Sequence, residues 1–145
     1  MHVIDILNRK GRDVTSLPPD ANLSDATILL AAKRIGAVII TDAQGAIGGI
    51  LSERDVVRAL ATESVRALAL PVSKYMTTTV ATCAEGDSLE SLMEMMTQGR
   101  FRHVPVQDTQ GHICGIISIG DVVKTMIEET TREASNLRQY IAAAG

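Results

Sequence analysis

Aromatic side chains are nearly missing from these 145 residues, which hold one Phe, two Tyr and no Trp. Tyr75, Phe101 and Tyr140 leave few platforms on which the bases of a single strand can stack. The core must therefore be built from Ile, Val, Leu, Ala and Met. Positive charge is also in deficit: 14 Lys and Arg against 17 Asp and Glu give a net charge of −3. Such a chain has no overall attraction for a phosphate backbone, which argues against a duplex-binding role. Long apolar runs are lacking as well. An uncharged stretch such as Ala43–Ser52 covers ten residues, about half of the ~20 that a membrane helix needs, so no membrane partner is expected. Cysteine is scarce: Cys83 and Cys114 have no CxxC spacing, and they read as reduced thiols of a cytoplasmic protein. The opening MHVIDILNRKG lacks the basic-then-apolar layout of a secretory signal. No GxSxG, Walker loop or HExxH is present, and His112 with Cys114 are too few ligands for a zinc site. The chain is therefore not expected to be an enzyme or to carry a catalytic cofactor.

What the chain does have is a repeat. Aligned without gaps at an offset of 66, Ala37–Leu60 and His103–Met126 share 11 of 24 positions, and the most distinctive part reads GILSERDVV at Gly49–Val57 and GIISIGDVV at Gly115–Val123. Upstream, Val14, Ser16 and Leu23 pair with Val80, Thr82 and Leu89 at the same offset. VIDIL at Val3 and VSKYM at Val72 match only at an offset of 69, so the first copy carries about three extra residues near Lys10–Arg12.

Each copy reads β-α-β-β-α. A short strand near Val14–Leu17 or Val80–Cys83 leads to Asn22 or Ser88, both good N-cap types. A helix with apolar residues at helical spacing follows, over Leu23–Ile35 or Leu89–Gly99. Next come a strand (AVIIT or HVPVQ), a DAQG or DTQG turn whose Gly tolerates positive φ, and a second strand running through the shared glycine into the serine. A final helix begins at ERDVV or IGDVV. The Met93, Met95 and Met96 cluster reads as core filler. The predicted fold class is α/β (α+β), with two pseudo-symmetric repeats packed sheet to sheet. Residues 1–70 form the first repeat with its connector, 71–130 the second, and 131–145 a helical extension. That extension is polar enough to need a partner surface, on its own domain or on a second chain.

The shared Ser-x-x-Asp has two readings. As a capping box, Ser52 or Ser118 accepts from an early backbone N–H, while Asp55 or Asp121 complements the helix dipole. As a binding site, the helix N-terminus and the hydroxyl take a phosphate, and the carboxylate one turn on takes the two hydroxyls of a ribose. Gly49 and Gly115, inside their strands, mark a close backbone approach that capping leaves unexplained.

The doubled GI(L/I)SxxDVV, the β-α-β-β-α order and the 66-residue spacing resemble a tandem pair of CBS domains, the Bateman module, as found in stand-alone bacterial CBS-pair proteins. That resemblance spans about Val3 to Tyr140. It implies a regulatory module that takes AMP, ADP, ATP or NAD in clefts between the repeats and signals through shape or an unidentified partner, commonly as a homodimer. Carried onto this chain, the ribose aspartates are Asp55 and Asp121, and the phosphate hydroxyls are Ser52 and Ser118. Ser16 and Thr82 line the base, and the strands Gly36, Ala37, Val38 and His103, Val104, Pro105 flank it. Within the motif Arg54 stands where the second copy has Gly120. Arg54, Arg102 and His103 are expected to neutralise phosphates, and the inequality of the copies suggests two unequal sites. The other reading is a structural dimerisation module whose clefts bind nothing.

Overall fold

The computed structural model describes residues 1–144. Its elements run α1 (Val3–Lys10), β1 (Ser16–Leu17), α2 (Leu23–Lys33), β2 (Ala37–Thr41), β3 (Ile47–Ser52), α3 (Glu53–Glu63), two 3₁₀ turns (Ser64–Ala69 and Val72–Lys74), β4 (Cys83–Ala84), α4 (Leu89–Gly99), β5 (His103–Gln107), β6 (Ile113–Ser118) and α5 (Ile119–Ala144). The order expected for each repeat is present, with a leading helix or 3₁₀ turn that the pattern of apolar residues did not announce. Among the described residues no helix is long and apolar enough to cross a membrane.

The strands form two three-stranded sheets, β1-β2-β3 and β4-β5-β6. In each, the short first strand is parallel to the second and the last two are antiparallel. Register follows the repeat: Ile39 faces Ile50 and Pro105 faces Ile116, and the bulges after Ile40 and Val106 also coincide. The turns are built alike. Asp42 Oδ1 accepts from the backbone of Gln44 and Ala46, as Asp108 Oδ1 does from Gln110 and His112. Gly45 and Gly111 take φ of 81° and 82°, where a Cβ would be strained. Asn22 and Ser88 cap α2 and α4 as expected, accepting from Asp25 and Ser91 N–H.

The cores do not follow the order of the chain. Leu23, Ala26, Val38, Ile40 and Leu51 of the first repeat are closed over by Ala67 and Val72 from the connector. Leu89, Leu92, Val104, Val106 and Ile117 of the second are closed over by Val3, Ile6 and Leu7 from α1. Each repeat thus borrows the segment that leads into the other. Met96 is buried in the second core with Met93 and Met95 against it, the filler role expected for an unbranched thioether. Lys74 and Tyr75 both bond to Glu63 and tie the connector to α3. The sheet faces turned away from the helices meet across the pseudo-twofold: Ile39 is fully buried yet belongs to neither core. Near it, a Cβ at Gly36 would lie 2.9 Å from His103 Cε1.

Candidate functional site: a cleft between the repeats

Both Ser-x-x-Asp motifs fold into reciprocal caps. Ser52 N–H donates to Asp55 Oδ2 at 2.9 Å while Asp55 N–H points to Ser52 Oγ at 3.4 Å. The Ser118–Asp121 pair gives 2.8 and 3.2 Å. The capping reading is correct for both copies, and it leaves each carboxylate a second oxygen. The two aspartates differ in what else meets the capped carboxylate.

In the first copy Asp55 is buried at the edge of a cleft of about 830 Å³, within the range of small-molecule sites. Its Oδ1 has Arg58 at 3.9 Å, too far for a hydrogen bond. Ile50, Ser52, Glu53 and Arg54 extend this wall. The lead-in to β4, bridged to Ile50 at Thr77, adds Thr77, Thr79, Val80 and Ala81 to the lining. Gly99, Arg100, Phe101, Arg102 and His103 supply the end of α4 and the start of β5, with Ser118, Ile119 and Gly120 beyond. Four guanidinium groups (Arg54, Arg58, Arg100 and Arg102) against two carboxylates (Glu53 and Asp55) make the lining positive in a chain that is negative overall. Burial lowers the His103 pKa below its ordinary value, with Arg102 and Lys10 acting the same way against Glu53 and Asp121. The imidazole is therefore neutral at pH 7, and it offers hydrogen bonds where the sequence suggested a cation.

In the second copy a lysine occupies the corresponding carboxylate. Lys10 Nζ donates to Asp121 Oδ2 at 2.7 Å and to the Ile116 carbonyl at 2.8 Å. Burial by itself would raise the Asp121 pKa; the hydrogen bonds from Lys10 and the Ser118 backbone outweigh it and hold the carboxyl below its usual range. The cause is the length of the lead-in. A Cβ at Gly49 would lie 2.7 Å from Met76 Sδ and 2.8 Å from the Thr77 carbonyl oxygen, and one at Gly115 would lie 2.6 Å from Leu7 Cδ2. Leu7 and Met76 are thus equivalent, 69 apart. Three residues separate Met76 from Val80, six separate Leu7 from Val14, and Lys10 lies in the excess. These contacts also correct the reading of the glycines, because what approaches them is the protein's own lead-in. At Gly49 it is clamped by paired Ile50–Thr77 backbone bonds of 3.0 and 2.9 Å.

A second asymmetry comes from Pro105. In the first sheet Ile39 N–H donates to the Thr15 carbonyl at 3.0 Å; its counterpart Pro105 has no N–H to give to Ala81. β4 accordingly starts at Cys83, one residue later than β1 relative to the repeat, and Val80 and Ala81 line the cleft. Both first strands are shorter than the sequence suggested.

Of the residues expected at the site, the structure brings together Gly36, Ser52, Arg54, Asp55, Arg102, His103, Ser118 and Gly120. Others lie elsewhere. Val38 and Val104 point into the helical cores, Ser16 is exposed on β1, and Thr82 Oγ1 donates to Gln107 Oε1 at 3.1 Å. Ala37 and Pro105 are buried in their strands. The lead-in threonines, Arg58, Arg100 and Phe101 were missed, although the change of offset from 69 to 66 marks where the lead-in crosses. Burial pushes the Cys83 thiol up to about 12, so it stays protonated.

A model of the CBS domain matches residues 3–62 and again 72–128. The chain belongs to the CBS-domain family. Its fold is shared by the CBS-domain containing protein ATU1752 from Agrobacterium tumefaciens, 48% identical with a TM-score of 0.85 over 87% of this chain and 99% of that one. The CBS domain protein PAE2072 from Pyrobaculum aerophilum, solved in complex with AMP, is 27% identical with a TM-score of 0.75 over 83% and 89% of the two chains. In Arabidopsis thaliana the mitochondrial CBS domain-containing protein CBSX3 is 29% identical over 96% of this chain and 71% of its own length. The two matches make the chain a pair of CBS repeats.

Proposed function

We propose that this CBS pair is a regulatory module that binds an adenosine nucleotide (AMP, ADP, ATP or NAD) in the Asp55 cleft. The observation that carries this reading is a buried carboxylate, with one oxygen free of hydrogen bonds, at the edge of a cleft of nucleotide size that four arginines line. Asp55 accepts from the ribose hydroxyls. Ser52 Oγ and the first N–H groups of α3 meet a phosphate, which the helix dipole favours. Arg54, Arg58, Arg100 and Arg102 balance the remaining charge. Thr77 and Thr79 add hydroxyls to the lining. The AMP complex of PAE2072 supports this ligand class.

The lining draws on both repeats, so a ligand that spans it favours one relative placement. Its differential affinity for that placement is the signal, passed on by a cytoplasmic homodimer to a regulated protein. Thermal unfolding with AMP, ADP, ATP, NAD and S-adenosylmethionine, on protein stripped of co-purified nucleotide, tests the reading. A true ligand at a hundredfold excess over its dissociation constant adds about 2.7 kcal/mol, or roughly 5–10 °C. No shift with any of them leaves a structural module whose serines and aspartates only cap helices. Lys10 at Asp121 favours that second reading for the Ser118–Asp121 motif.

A further inference from the structure

Beyond Glu129 the α5 helix leaves the body of the protein, and every residue from Thr130 to Ala144 is exposed. Its counterpart α3 stops after 11 residues, whereas α5 runs for 26, about 39 Å. A helical projection without a partner is marginal in water. This one carries the pattern of a partner. Val123, Ile127, Thr130, Ala134, Leu137, Ile141 and Ala144 recur at alternating intervals of four and three, the heptad seam of a left-handed coiled coil. The stripe is distinct from the one facing the module: Val122 and Thr125 are buried, while Val123, Ile127, Leu137 and Ile141 are 47%, 61%, 59% and 61% exposed. The two stripes lie about 120° apart round the helix.

The seam also says which partner fits. Ile127, Ala134 and Ile141 take the a positions, and Val123, Thr130, Leu137 and Ala144 the d positions. Ile127 and Ile141 at a, with Leu137 at d between Ala134 and Ile141, are the combination that favours two strands. Glu133 stands at g and Arg138 at the following e, five residues on, so a parallel copy brings Glu133 of one chain to Arg138 of the other. Among the described residues neither has an ion-pair partner in its own chain. An antiparallel copy would set e against e, where Lys124, Thr131 and Arg138 offer no anion.

We infer that the α5 helices of two copies of this chain pair as a parallel two-stranded coiled coil along this seam. The inference deepens the homodimer reading above and does not depend on any nucleotide. The test is sedimentation equilibrium of the full chain. The wild type is expected to be a dimer, and Leu137→Lys to raise its dissociation constant about a hundredfold or more by burying a charge. The melting of the module is kept as a fold control. Glu133→Arg and Arg138→Glu each weaken the dimer, and the two together restore it. Thr130→Cys and Ala144→Cys, at the two ends of the fully exposed part of the seam, both oxidise to covalent dimers when the wild type does not. A dimer that ignores Leu137→Lys overturns the seam and keeps the homodimer. A wild-type monomer overturns both. Covalent dimers formed by neither cysteine overturn the parallel arrangement.

Discussion

The two Ser-x-x-Asp motifs have the same cap, the same strand register and the same glycine three residues before, and they differ in what meets the carboxylate. Asp55 is buried at the edge of an arginine-lined cleft with no cation within hydrogen-bond distance; Asp121 is half-buried, and Lys10 binds the same oxygen that caps the helix. The difference comes from the segment that crosses in front of each motif. In the second repeat that segment is short and brings threonines. In the first it is three residues longer and brings an ammonium group. A motif specifies the local turn, and its neighbour in space decides whether the turn is a site.

The comparison breaks most sharply at the aspartates. Asp55→Ala should cost about 2–3 kcal/mol of nucleotide affinity, near a hundredfold, through loss of a charged hydrogen-bond acceptor. By calorimetric titration Asp121→Ala should stay within about threefold of the wild type; equal losses in both would make the clefts equivalent. The glycines separate next. A methyl at Gly49 meets the Thr77 backbone, while one at Gly115 meets only the flexible end of Leu7. Gly49→Ala should therefore cost about 3 kcal/mol in urea unfolding and Gly115→Ala about 1.

Lys10→Met should remove about 1 kcal/mol of stability and raise the number of bound nucleotides per chain from one to two. It should also change the response to acid. The folded pKa of Asp121 is lowered, so the unfolded chain takes up the proton first. The contribution of the bridge is complete at neutral pH, begins to fade near pH 4 and is gone once the pH passes the folded value. In Lys10→Met this part of the acid slope should flatten. The smallest effect belongs to His103, whose lowered pKa makes the folded state lose stability as the pH drops below about 6.5. His103→Gln should remove that loss, as urea midpoints at pH 7 and 5.5 would show.

Much of the fold was legible because repetition supplied two readings of every element. AVIIT and HVPVQ are strands over the expected residues, and the caps at Asn22 and Ser88 and the DxQG turns are in place. The site was legible in part. Ser52, Asp55, Arg54 and Arg102 sit in local motifs or beside a strand start, and these are properties of nearby sequence. Thr77 and Thr79, and the Lys10 that binds Asp121, depend on which repeat each lead-in packs against. That is a long-range contact without periodicity of its own. Val38 and Val104 were misplaced because a strand alternates faces, and theirs is the helical one. His103 carries no charge because burial, which composition does not report, outweighs its acidic neighbours.

The borrowed lead-ins have one more consequence. A cut between the repeats, anywhere near Pro71, would leave each fragment holding a piece of the other's interior and missing a piece of its own. Neither half is a sensible object for expression by itself, and the intact chain should melt in one cooperative step. Anything that tightens the Asp55 cleft is then shared by all of the chain, so a single occupied cleft can report its state as far away as α5.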